Sequence, residues 1–96
     1  MKENIIKLSK EFIGKGEVKG FHFYQLDRGK KSCVYEVCDD GHTHYEVFKI
    51  KVGKIPKSEQ LYEQYPKANS FGIWAWTYRD YEKAFLKFKK IEKDEK

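Results

Sequence analysis

Asp40-Gly41 stands between two runs rich in β-branched and aromatic residues, Ser32-Cys-Val-Tyr-Glu-Val-Cys38 and Thr43-His-Tyr-Glu-Val-Phe-Lys-Ile50. An Asp-Gly pair in that setting reads as a two-residue type I′ hairpin loop, because both central residues need positive φ and glycine adopts it without steric cost. With Asp39 facing His42, each outward step pairs the next residue on each strand. Every side chain is thereby assigned to a face. One face holds Cys33, Tyr35, Val37, His44, Glu46, Phe48, Ile50 and Val52, and is the expected core face. The other holds Val34, Glu36, Cys38, Thr43, Tyr45, Val47, Lys49 and Lys51.

The texture of strands and turns extends from Glu17 to Val52 and predicts a three-stranded meander. Its first strand joins through Asp27-Arg28-Gly29-Lys30. An even loop adds Val18, His22, Tyr24 and Leu26 to the core face and Phe21, Phe23 and Gln25 to the other; an odd loop or a bulge exchanges the two sets. Upstream, Ile5, Leu8 and Phe12 fall at helical spacing before Gly14 and Gly16, which predicts a short helix over residues 3–13. Residues 53–70 contain both prolines and read as a long connection, with a helical turn at Ser58 to Tyr65 that Ser58 caps. Ile73 to Thr77 alternate as a fourth strand, with Trp74, Trp76 and Tyr78 on one side. Thr77-x-x-Asp80 then resembles a capping box ahead of a C-terminal helix. Its stripe is carried by Tyr78, Tyr81, Ala84, Phe85, Phe88 and Ile91, with Lys83, Lys87 and Lys90 opposite. The expected fold is therefore one α+β domain spanning 1–96. It has a four-stranded, mainly antiparallel sheet, a C-terminal amphipathic helix, an N-terminal helix and linker at 1–16, and a frayed tail at 92–96.

Ninety-six residues suffice for one core, and sixteen aromatic side chains supply the area to bury in it. The formal charge of +5 is carried by the chain ends: residues 1–31 hold eight Lys/Arg against four acids, and residues 32–78 hold five against six. Such a distribution suits acidic partners, nucleic acid among them, and equally a solvated lysine surface. No run approaches the roughly 18 apolar residues of a membrane span, so a cytoplasmic chain without membrane attachment is expected. Cys33 and Cys38 point to opposite faces of one strand and are read as free thiols rather than a disulfide.

Three constellations have chemical potential. His42 and His44 share a strand face with Asp39 beside them, a donor set suited to an open Zn²⁺ site, although ordinary turn chemistry explains the same residues. Cys33 or Cys38 paired with His44 or His22 offers a thiol dyad, with Cys33 and His44 on one face, or, more simply, core packing. Tyr45, Lys49 and Lys51 mark a basic, aromatic sheet face. It either stacks the bases of single-stranded nucleic acid or forms a second core beneath the N-terminal segment. No motif requires a cofactor or completes a catalytic site.

The order Tyr45-Glu-Val-Phe-Lys-Ile-Lys51, a proline-containing loop, then Phe71-Gly72-Ile-Trp74-Ala75-Trp-Thr-Tyr78 and an amphipathic helix resembles a family of small uncharacterised phage and mobile-element proteins. The motifs YEVFKIK and FGxWAWTY carry the likeness, over roughly residues 33–90. It implies an accessory role in the contest between a mobile element and its host. The expected function is non-enzymatic docking on a host- or element-encoded protein, with Tyr45, Lys49, Lys51, Trp74 and Trp76 as partner-binding residues. Single-stranded nucleic-acid binding is the alternative.

Overall fold

The computed structural model describes residues 5–94. In chain order they form β1 (Ile5–Ile6), β2 (Glu11–Ile13), β3 (His22–Arg28), β4 (Ser32–Asp39), β5 (His42–Lys49), β6 (Val52–Lys54), β7 (Leu61–Glu63), β8 (Ala75–Tyr78) and α1 (Tyr81–Asp94). The architecture is α+β. A five-stranded antiparallel sheet runs β2-β3-β4-β5-β8, and a three-stranded sheet runs β1-β7-β6.

The central hairpin follows its turn. Asp40 and Gly41 have φ of 49° and 89°, the two positive values a type I′ loop demands. Pairing then proceeds in register from Asp39↔His42 to Ser32↔Lys49. The β3–β4 turn is also even, Gly29 N donating to Ser32 O at 2.9 Å around Lys30-Lys31. A bulge between Gln25 and Asp27, however, shifts the register beyond it, so Phe23 faces Val37. One inserted residue sends everything past it to the other face. Phe21 and Phe23 therefore join Tyr35 and Phe48, and the even-loop assignment is corrected.

The expected helix over 3–13 is replaced by strands. Residues 3 and 4 lie outside the described segment; beyond them Ile5↔Leu61 and Ile6↔Tyr62 pair in parallel, and Phe12 pairs with Phe23. A helix this short is marginal in water, whereas strand pairing lets Phe12 stack on Phe23 at 4.6 Å. The connection 53–70 likewise holds no helical turn at Ser58: β6 and β7 pair as a hairpin, and Ser58 Oγ accepts from Gln60 N at 2.9 Å inside its loop. These additions turn the expected four strands into two sheets.

Both faces of the larger sheet are dry. On one, Phe23, Cys33, Tyr35, Val37, Phe48 and Ala75 are covered by Leu8, Phe12, Tyr65, Phe71 and Trp74. On the other, Val34 and Val47 pack against Ala84, Phe88 and Ile91 of α1. The helix thus occupies the face opposite the expected core, and the N-terminal arm with the β7–β8 connection closes the first. Asp80 caps α1, its Oδ1 accepting from Glu82 N at 2.8 Å, while Thr77 and Tyr78, the latter expected on the helical stripe, stay in β8. The tryptophans are split between the two cores. Ile73 N and Trp74 N both donate to Ser70 O, and Gly72 sits at φ 93°, so a turn interrupts alternation before Ala75 and puts Trp74 and Trp76 on opposite sides.

Two carboxylates fasten the periphery. Glu63 takes Arg28 Nη1 at 2.8 Å and Leu8 N at 3.0 Å, tying the smaller sheet and the N-terminal arm to β3. Glu92, inside α1 rather than in a frayed tail, accepts from Lys30 N and Lys31 N at 3.0 Å each and from Ser32 Oγ at 2.6 Å. The turn backbone comes so close that a Cβ on Gly29 would stand 2.2 Å from Glu92 Cδ.

These contacts fix an acid limit. Arg28 hydrogen bonds hold the Glu63 carboxyl below the usual range. Burial pushes Glu92 up, but the donors from Ser32, Lys31 and Lys30 outweigh it and lower that group too. A carboxyl depressed in the folded state stabilises above its unfolded pKa, about 4.3, and that contribution is lost as pH falls through the folded value. The thermal midpoint is therefore expected to hold from about pH 7 to about pH 5 and to fall progressively below about pH 4, with a shallower slope in Glu63→Gln. A midpoint constant down to about pH 2.5 would refute the assignment.

Candidate functional site

Most of the sequence-derived candidates disperse. Asp39 and His42 face each other across the turn, but His44 Nε2 is 3.0 Å from Glu46 Oε2, and no metal-binding cluster of three His, Cys, Asp or Glu exists among the described residues. Cys33 lies opposite Phe48, four residues along β5 from His44, about 13 Å at strand rise. Its thiol is fully buried and burial pushes its pKa up to about 11, so it is protonated and inert at neutral pH. Cys38 is the cross-strand partner of His22, and both cysteines are free.

The five expected partner-binding residues do not share a patch. Tyr45 stands edge-on to Tyr81 of α1 at 5.7 Å, on the helix side with Trp76. Lys87 Nζ lies 4.0 Å over the Trp76 ring. Lys49 is exposed at the end of β5. Lys51 lies over Trp74, 5.5 Å from its centroid, and Trp74 belongs to the opposite core. Each tryptophan is half-buried with an ammonium on it, an arrangement that contributes to folding through ring burial and cation–π attraction.

The structure brings together something else, an open groove of about 1220 Å³ between the N-terminal arm and the β7–β8 connection. Phe12, Phe23 and Tyr65 line its depth. Tyr65 is the joint of that wall: its ring meets Phe12, Phe23, Tyr35 and Phe48 edge-on at 5.6, 5.1, 5.2 and 4.7 Å. Its hydroxyl donates to Glu46 Oε1 at 2.6 Å, leaving Oε2 to His44. Burial, with Glu46 alongside, pushes the Tyr65 hydroxyl well up, so it remains a donor. Tyr35 secures the arm by donating to Ser9 O at 2.7 Å while accepting from Gln25 Nε2 at 3.0 Å, and burial raises its pKa to about 12.

Among the lining residues Ile6, Ile13 and Val18 are 53%, 56% and 36% exposed, and Lys7, Lys15 and Lys67 add positive charge. Chemically the groove can desolvate apolar side chains and attract carboxylates. No family model, curated protein or solved structure matches the chain. The groove escapes a linear reading because its walls lie some fifty residues apart in the chain. The nearest local signal was the clustering of aromatics on both sides of the meander.

Proposed function

We propose that this chain is a non-enzymatic binding protein, an accessory factor of a phage or mobile element, that docks a host- or element-encoded protein in the groove. The observation that carries this reading is the exposure of Ile6, Ile13 and Val18 beside a trench already walled by aromatic rings. Water-exposed aliphatic groups clustered at a concavity favour a partner that buries them. The mobile-element setting rests on the YEVFKIK and FGxWAWTY resemblance. Among the described residues no helix is long and apolar enough to cross a membrane.

A second reading, single-stranded nucleic-acid binding, draws on the outer side of α1, where Lys83, Lys89, Lys90 and Lys93 are exposed around Leu86. It stands second because α1 covers the sheet face on which bases were to stack, with Tyr45 engaged by Tyr81. A photo-crosslinking side chain placed at Ile6 or at Leu86 in cells separates the two. Protein adducts are expected from Ile6 and not from Leu86. Nucleic-acid adducts from Leu86 with none of protein from Ile6 would reverse the order.

A further inference from the structure

We infer that the groove accepts an extended, acidic segment of the partner, added as a sixth strand along the outer edge of β2. This rests on the docking reading above and specifies its chemistry.

The backbone supplies the first argument. Gly14 N donates to Phe21 O at 2.8 Å and Lys10 O accepts from Gln25 N at 2.7 Å. In an antiparallel ladder successive residues turn their polar groups to alternate sides. Phe12 therefore bonds to β3, and the N–H and C=O of Glu11 and Ile13 point away from the sheet. Among the described residues β2 is a terminal strand, so that side offers an unpaired edge bordering the groove. The other terminal strand, β8, is partly closed by its own preceding turn: Gly72 N donates to Ala75 O at 2.7 Å and Phe71 bridges to Ala75. A strand added on β2 directs the side chain opposite Phe12 to the face of Phe12, into the groove, and its neighbours to the other face.

Charge supplies the second. The groove contains two carboxylates, and both are engaged, Glu63 by Arg28 and Glu46 by His44 and Tyr65. Among the carboxylates whose side chains are described, none lies within ion-pair distance of Lys7, Lys15 or Lys67. Lys15 and Lys67, with Lys7 partly shared with Glu63, border the pairing edge against the exposed carboxylate of β2, Glu11, and this balance of charge favours an incoming segment whose solvent-side residues are acidic and whose groove-side residues are apolar.

Fluorescein-labelled octapeptides of alternating Glu and Val test this by anisotropy at low salt, against the matching Lys/Val peptide and a Glu/Val peptide N-methylated at alternate amides. The Glu/Val peptide is expected to bind at least about tenfold tighter than either control, since removing edge hydrogen bonds or reversing charge each costs about that factor. Lys15→Glu with Lys67→Glu, both exposed positions, is expected to reverse the preference toward Lys/Val. Amide exchange at Glu11 and Ile13 is expected to slow in the complex. Equal affinity for the three peptides, no binding of the Glu/Val peptide, or unprotected amides at Glu11 and Ile13 would overturn the strand mode. Protein adducts from Ile6 alongside any of those results would leave docking intact and remove only its acidic-strand form.

Discussion

Tyr65→Ala is expected to destabilise the protein by about 3–5 kcal/mol, the range for deleting a large aromatic from a packed cluster. The ring contacts four aromatic neighbours that belong to β2, β3, β4 and β5, so its loss opens a cavity that no single strand can collapse into. Tyr65→Phe separates packing from hydrogen bonding. It keeps the ring, removes the donor to Glu46, and is expected to cost about 1–2 kcal/mol because a mostly buried carboxylate oxygen loses its partner. Urea unfolding of the two variants checks both values. An alanine penalty below about 1 kcal/mol would show that the β7–β8 connection is not held by this side chain.

Arg28→Ala has the second large effect. The Glu63 side chain is 6% exposed and Arg28 is 27% exposed, so truncating the arginine strands a carboxylate in a poorly solvated site. Breaking such a pair from one side costs about 3–5 kcal/mol when both groups are buried; the partial exposure of Arg28 places the expectation at about 2–4 kcal/mol at neutral pH. Below about pH 4 the penalty shrinks, because protonated Glu63 no longer needs the guanidinium. Arg28→Met with Glu63→Leu should recover much of the loss, since it removes both charges and keeps the volume. Guanidinium-chloride denaturation at two pH values measures this, and a penalty that grows on acidification contradicts it. The same variant is expected to loosen the N-terminal arm, because Glu63 also holds Leu8 N.

The two effects share a cause. Tyr65 and Glu63 belong to a short segment, β7 and its continuation, that closes one face of the large sheet and forms one wall of the groove. Folding stability and the binding surface therefore depend on the same few side chains. Substitutions on the exposed rim, such as those at Lys15 and Lys67, should alter binding with little effect on stability.

Legibility from the chain followed the range of the interactions. The β4–β5 register was readable to the last pair because Asp40-Gly41 leaves one low-energy turn and the ladder propagates from it. The buried stripe of α1 was readable from its three- and four-residue spacing, although the face it would choose was not. Ile5, Leu8 and Phe12 misled because their spacing satisfies a helix as well as two short strands, and their hydrogen-bonding partners lie elsewhere in the chain. The bulge at Leu26 left no clear mark, yet it moved Phe21 and Phe23 from one face to the other. Trp74 and Trp76 alternate with Ala75 on paper; the turn built on Ser70 and Gly72 separates them.

By itself the sequence determined an α+β domain organised around one hairpin and closed by an amphipathic helix, since turn chemistry and hydrophobic period act within a few residues. Only the tertiary structure decided that both sheet faces are covered, that the N-terminal arm is extended, and that a cationic, ring-walled groove opens beside the terminal strand β2. Those outcomes depend on pairing between residues 55 and more positions apart, such as Leu8 with Glu63, whose free energy appears only once the chain has closed on itself.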